Sequence, residues 1–254
     1  AVLLEKSLAQ VSEPACEVLA VVGLLALAPF DRQPITADLD ASPRQLRRPL
    51  GALVRYGLLS RGGARYEVTH ALIHTYARDR LPPGPGVLGR LAAYYNALAR
   101  ELRDAGLEGY RRLDKARGHL MHVLRVCAEQ AQWESVRVLV WAAYDYLVLQ
   151  GYATERVEAL ERGVDAARAL HHRRDEGAFL GNLGLAYHDL GEVEQAVEYH
   201  EQALAIAREV GDRQGEGNHL GSLGIAYHDL GEVKKAIDYY EQALAIAREI
   251  GHRQ

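Results

Sequence analysis

Residues 181–214 read GNLGLAYHDLGEVEQAVEYHEQALAIAREVGDRQ, and residues 221–254 read GSLGIAYHDLGEVKKAIDYYEQALAIAREIGHRQ. The second stretch repeats the first at an offset of 40 residues, with 25 of 34 aligned positions identical. A unit of this length cannot bury both its faces alone and must stack on neighbours. In the first copy Leu180, Leu183, Tyr187 and Leu190 share one helical face. Gly191 breaks that helix as a C′ residue. Val193, Ala196, Val197, Ala203, Leu204 and Ala207 form the apolar stripe of a second helix. Gly211 and Asp212 end it, Asp212 serving as a cap for the next helix. Gly184, Ala196 and Ala203 recur as Gly224, Ala236 and Ala243, small residues where helices must approach closely.

The positions Leu183-Gly184, Tyr187, Gly191, Ala196 and Ala203, matched again in the second copy, resemble the tetratricopeptide repeat (TPR). Two departures accompany the resemblance: the period is 40 rather than 34, and Arg208 stands where the family often has Pro. They imply a longer second helix, as in the repeats of cell-polarity adaptors and bacterial signalling proteins. Upstream, Gly151, Ala167, Arg168, Arg173, Glu176 and Gly177 align at the same offset and suggest a degenerate repeat at about 140–174. The array is therefore expected over 153–254, with clear repeats at 177–214 and 217–254. At least about three repeats are usually needed, so the array is expected to continue, or to dock on another copy at its end.

The N-terminal 81 residues read differently. Ser12-Glu13-Pro14 opens a helix with a cap, an acid and an early proline. Ala15 to Ala28 reads as a core helix, shorter than the roughly 20 apolar residues a bilayer demands. A short helix is expected around Thr36 to Leu39. A third is expected to open at Ser42-Pro43 and run through Leu46, Leu50 and Leu53 to Tyr56, kinked or shortened at Pro49. Leu58 to Ser60 and Arg65 to Thr69 read as strands around a turn at Arg61–Ala64. This is the order of a winged helix. Pro82-Pro83-Gly84-Pro85-Gly86 marks a boundary, and a helical connector is expected over 82–152, with helices at Leu88–Leu102 and Ala116–Ala131. The predicted fold class is mainly α: a winged-helix module with a short β-hairpin, a helical connector, and a right-handed TPR α-solenoid.

Arg65-Tyr-Glu-Val-Thr-His70, running into Leu72 and Tyr76-Ala77-Arg78, resembles the end of the winged-helix domain in STAND-type (NB-ARC-like) NTPases. Leu91-Ala-Ala-Tyr-Tyr through Leu120, Leu124 and Trp141 resembles the helical segment between winged helix and repeats in their bacterial members. The resemblance implies that the chain is the C-terminal regulatory part of such a switch. His70 would then contact the β-phosphate of ADP held by the NTPase domain of the parent protein. Ala71 replaces the acid of the family's Met-His-Asp motif.

Composition narrows the function classes. The net charge of −4 divides into +5 over residues 1–174 and −9 over 175–254, which argues for separate surfaces and against nucleic acid on the C-terminal part. Cys16 and Cys127 stand in apolar surroundings and read as buried thiols suited to a reducing cytoplasm. The opening Ala-Val-Leu-Leu-Glu has no basic n-region, and no membrane association is expected. There is no G-x-x-x-x-G-K-[ST] loop and no nucleophile motif. His171-His172, expected on a helix, would point its rings apart there. Hence no catalytic residue, metal or cofactor is expected in this chain, and ADP or ATP only in a parent with the NTPase domain.

Three readings compete. As an interaction module, the array would present a groove lined by Ala178, Gly181, Leu185, His188 and Asp189, then Asn218, Gly221, Ile225, His228 and Asp229. It would take a protein or peptide with basic residues, given the −9 balance, and would hold or release the NTPase domain within the parent. As a DNA-binding regulator, residues 42–80 carry a balance of +6, with Arg44, Arg47, Arg48 and Arg55 on the third helix. Pro49 argues against that, and nucleic acid is not the favoured partner. As a scaffold, near-identical repeats would self-associate end to end.

Overall fold

The structure is a computed structural model and describes residues 8–251. The chain divides into two compact units, Ala1–Ala143 and Tyr144–Gln254. Among the described residues there are thirteen helices and one two-stranded hairpin.

In the first unit α1 spans Glu13–Gly23, with Ser12 extended at its start and Pro14 in its first turn. Ser12 makes no side-chain cap bond. The helix stops at Gly23 instead of reaching Ala28, and at that end it abuts α4 (Ala71–Arg80) backbone to backbone. A Cβ on Gly23 would lie 2.7 Å from the Arg78 amide nitrogen and 2.9 Å from the Ala77 carbonyl carbon. After α2 (Gln33–Leu39), Ser42 and Gln45 form a reciprocal capping box: the Ser42 amide donates to Gln45 Oε1 at 2.7 Å, and the Gln45 amide reaches Ser42 Oγ at 3.4 Å. Helix α3 itself spans only Arg47–Arg55. Pro49 thus sits in the first turn, where its missing N–H would have had no intrahelical acceptor. The helix is shortened, as expected, and begins later than Ser42.

Strands β1 (Leu59–Gly62) and β2 (Arg65–Val68) pair antiparallel with Leu59 opposite Val68 and Gly62 opposite Arg65, leaving the two-residue turn Gly63-Ala64. Phe30 bridges Tyr66 from the far side, each amide donating to the other's carbonyl at 2.8 and 2.7 Å. This bridge was not legible in the sequence. The order is helix, bridge, helix, helix, hairpin.

Helices α5 (Val87–Asp104), α6 (Gly106–Asp114) and α7 (Arg117–Glu129) follow. The proline-rich stretch before α5 does not separate compact bodies, because α5 packs on α2 and on α7. Arg90 Nε donates to the Asp38 carbonyl at 2.7 Å and lies 3.2 Å from its buried carboxylate. Burial pushes the Asp38 carboxyl up to about 6, against the opposing pull of Arg90. The boundary read at 81/82 therefore falls inside the first unit.

From α8 (Trp133–Leu149) onward the chain keeps strict time. Helices α9 (Ala153–Ala169), α10 (Arg173–Asp189), α11 (Val193–Glu209), α12 (Arg213–Asp229) and α13 (Val233–Gly251) start every 20 residues. The residues with positive φ between them are Ala131, Gly151, His171, Gly191, Gly211 and Gly231, also every 20. Each corner closes with the same Schellman bond, in which the next amide reaches back five residues: Glu192 to the Tyr187 carbonyl at 2.9 Å, Asp212 to Ala207 at 2.8 Å, His172 to Ala167 at 2.8 Å. The degenerate repeat expected at about 140–174 falls where helices 133–149 and 153–169 keep the same 20-residue spacing. The 152/153 boundary is the corner inside that pair, and the division between compact units falls within α8.

In the second unit α9 packs on α10, α10 on α11, α11 on α12 and α12 on α13. Small residues allow this. A Cβ on Gly184 would meet the His200 ring at 2.7 Å, and one on Gly177 would meet Ile206 at 2.9 Å. Ala196 and Ala203 are fully buried. A polar clamp repeats beside them. Glu176 accepts from Arg168 Nε at 2.9 Å and from Arg173, which also holds Glu209. Forty residues on, Glu216 accepts from Arg208 Nε at 2.9 Å and from Arg213, which holds Glu249. Burial alone would raise the Glu216 carboxyl, but the two guanidiniums outweigh it and hold it below its ordinary value. Each clamp ties one hairpin to the next.

Candidate protein-interaction site

The first helices α10 and α12 place Leu185, His188 and Asp189, and then Ile225, His228 and Asp229, at spacings i, i+3 and i+4, which is one helical edge. Leu185 and Ile225 are 44% and 48% exposed, although each is a large apolar side chain on a well-packed helix. They mark the same point of two successive repeats.

The polar groups of this edge are tied together across helices. His188 Nε2 lies 2.8 Å from Asp229 Oδ2, bridging α10 to α12, and His228 Nδ1 lies 3.2 Å from Asp229 Oδ1. The bond from His188, then that from His228, holds the Asp229 carboxyl below its ordinary value. Asp189 accepts from Arg156 Nη1 at 2.8 Å. Asn218 Oδ1 accepts from Gln214 Nε2 at 3.1 Å. Both aspartates are therefore already satisfied. Further exposed acids lie on the second helix α11: Glu194, Glu198 and Glu201. The carboxylates of the first-helix edge, Asp189 and Asp229, are thus exposed but already paired.

Gly181 was expected on this edge but is buried beneath His219, whose ring a Cβ would strike. Ala178 is half-buried, Asn218 is exposed, and Gly221 opens onto free space. Two residues on the edge escaped the sequence reading. Arg156, almost fully buried, occupies the position of Ala196 in the degenerate repeat, and Tyr144 occupies that of Gly184. Tyr144 donates to Asn182 Oδ1 at 3.0 Å, as Arg156 donates to Asp189. The available signal was a pair of bulky polar residues where the repeat demands small ones. Behind the edge, Tyr187 stacks on Tyr199 with centroids 5.2 Å apart, and Tyr227 on Tyr239 at 5.3 Å.

In the first unit His70 stands at the N-cap of α4, its Nδ1 accepting from the Leu72 amide at 3.1 Å. The residue is exposed, and its Nε2 is unbonded among the described residues. Arg47, Arg48 and Arg55 line an open cleft with Ser12, Pro14 and Gln45. Arg44 lies in the turn before α3 and not on the helix. Cys127 is buried, and burial pushes its thiol up to about 12. Among the described residues no cluster of three His, Cys, Asp or Glu could hold a metal ion, and no helix is long and apolar enough to cross a membrane.

Helical hairpins stacked at a fixed period, with small residues at their contacts, define a helical repeat protein. Residues 175–249 match the tetratricopeptide repeat family, so this stretch is a TPR array. Among solved structures, BtubC from P. vanneervenii is 18% identical, covers 86% of this chain and 89% of its own, and superposes with a TM-score of 0.53. At that identity the likeness is one of fold. A STAND protein with a tetratricopeptide repeat sensor from Pyrococcus horikoshii is 16% identical over 96% of this chain and 52% of its own, with a TM-score of 0.49. The chain thus spans about half of that protein. The TPR domain of Arabidopsis FLU is 18% identical over 46% of this chain and 98% of its own, with a TM-score of 0.44. No curated protein matches the sequence.

Proposed function

We propose that the chain is the non-catalytic sensing and regulatory part of a STAND-type signalling NTPase. Its TPR array binds a protein or peptide ligand, and its N-terminal helices and hairpin form the winged helix that meets the NTPase domain. The observation that carries the binding role is the exposure of Leu185 and Ile225 at matching points of adjacent first helices. Apolar side chains so exposed on rigid helices are suited to anchoring a ligand, with His188, Asn218 and His228 supplying polar contacts around them. The regulatory role rests on the residue pattern Arg65–Arg78 and on the helix, bridge, helix, helix, hairpin order. His70 supports it in detail: its Nδ1 caps α4, which leaves Nε2–H as an outward donor suited to a phosphate oxygen.

The test is a selection of random peptides displayed against the full chain. Peptides enriched on the wild type are expected to lose at least about tenfold in affinity for a Leu185→Asp/Ile225→Asp variant, the scale of one anchor residue. Enriched peptides that bind both chains equally would end the reading.

One observation favours self-association as a second reading. On α11 the stripe Val197, His200 and Leu204 is 8%, 2% and 6% exposed, covered by α12. The same stripe on α13, Ile237, Tyr240 and Leu244, is 50%, 40% and 49% exposed. A second copy laid along α13 would cover the stripe. Sedimentation is expected to show a concentration-dependent dimer that Leu244→Glu converts to monomer. A wild-type chain that stays monomeric throughout removes this reading.

A further inference from the structure

A cavity of about 260 Å³ lies in the first unit, between the start of α2, strand β2, helix α5 and the turn from α6 into α7. Four segments distant in sequence meet there. Arg65 on β2 donates from Nη2 to the Lys115 carbonyl at 3.2 Å, which draws the hairpin against the α6–α7 turn. One turn beyond Lys115, His119 Nε2 lies 3.2 Å from the Pro29 carbonyl, which fixes Phe30 against the same space. Tyr94 and Tyr95 of α5 complete the wall with rings edge to face at 5.0 Å.

The chemistry of this cavity is lopsided. Its aromatic side is Phe30, Tyr94 and Tyr95, and Leu98 and Leu102 continue it. Its cationic side is Arg65, Arg112 and Lys115. One carboxylate is present, Asp31, and it already accepts the Gln33 amide at 2.8 Å. Neither Arg112 nor Lys115 has an ion-pair partner among the described residues, so both are available to an anion in the cavity. Burial, opposed by the bond to the Pro29 carbonyl and aided by Arg65, lowers the pKa of His119 from its ordinary value. At a share of about 30 Å³ per water, the volume equals roughly nine waters, below the span of a drug-sized molecule. It suits a single ring carrying one charged group.

We propose that this cavity is a binding site for a small aromatic anion, its ring against Phe30 and Tyr94 and its phosphate or carboxylate at Arg65, Arg112 and Lys115. A bare phosphate would leave the aromatic wall unused, and a neutral ring would leave the cations unmatched. Both parts of the ligand are needed to engage both sides. The site joins the hairpin to α5 and α7, so its occupant would bind across the elements of the first unit.

The test is calorimetric titration of the full chain with phenyl phosphate, inorganic phosphate and phenol. Phenyl phosphate is expected to bind at least about tenfold more tightly than either fragment. Arg112→Ala and Lys115→Ala, both on exposed residues, are each expected to weaken it by about tenfold, the scale of a charge-assisted hydrogen bond. Tyr94→Ala is expected to weaken phenyl phosphate while leaving inorganic phosphate unchanged. Arg55→Ala, outside the cavity, is the control, and circular dichroism checks each variant's fold. Absence of phenyl phosphate binding at millimolar concentration overturns the proposal. So does equal binding of phosphate and phenyl phosphate, or an equal loss in Arg55→Ala.

Discussion

Lowering the pH from 6.5 to 4 is expected to remove about 3 kcal/mol of stability from the second unit through His200 alone. Its ring is buried against Gly184, with the His219 ring 5.9 Å away. Burial, then the neighbouring His219 and His188, pushes its pKa down from 6.5 to about 4. Across that window the unfolded chain binds a proton that the folded chain refuses. Stability therefore rises with pH, is complete above 6.5 and is lost as the pH falls toward 4. Hydrogen exchange of the α10–α12 amides at several pH values measures the effect. The repeat itself supplies the control, because Tyr240 fills the equivalent position on α13. A His200→Tyr chain is expected to lose most of this pH dependence. If it keeps the whole of it, the buried imidazole is not the cause.

Leu223→Ala is expected to cost about 2–5 kcal/mol, the range for emptying a well-packed leucine site. Leu223 is fully buried in a cluster with Val197, Leu204, Leu220, Ala226 and Ile246, which draws on α11, α12 and α13 together. Stability in a stacked array is close to a sum of hairpin and interface terms. The loss should therefore appear first as fast exchange in α12 and α13, with α10 less affected. Leu185→Ala, on an exposed site of the same kind of helix, is expected to change stability by no more than about 0.5 kcal/mol. Urea unfolding of the two variants separates them. Equal losses would show that burial does not govern stability here.

The helical hairpins were legible because their information is local. Two copies of one text show which positions are small, which are apolar and where each helix stops. The degenerate repeat was harder to place. Tyr144 and Arg156 replace its small residues, and His171 and Ala131 take the left-handed corners that glycine takes later. Spacing survived there after composition had changed. The N-terminal unit held less local information. Phe30 pairs with Tyr66 across 36 residues, which no short pattern records. Pro49 suggested a kink, but its effect depended on where α3 began. Helix α6 went unread because only Gly106 marks its start. Between the hairpins, Arg168, Arg173 and Glu176 were visible as aligned text, but their joint role as a clamp needed distances. The net charge of the repeats was equally visible, but not which helices carried it.

The even beat of the corners has a consequence for inheritance. Each clear repeat begins with the same backbone turn and meets the hairpin before it through an Arg208-type and Glu216-type pair at the same offset. Unequal exchange between two such nearly identical coding stretches would add or delete one block in frame. The new block would find the same helix face and the same countercharge on either side. Copy number can thus drift between lineages while the fold of each block stays as it is, and the length of the arm becomes a quantity that selection can adjust by whole units.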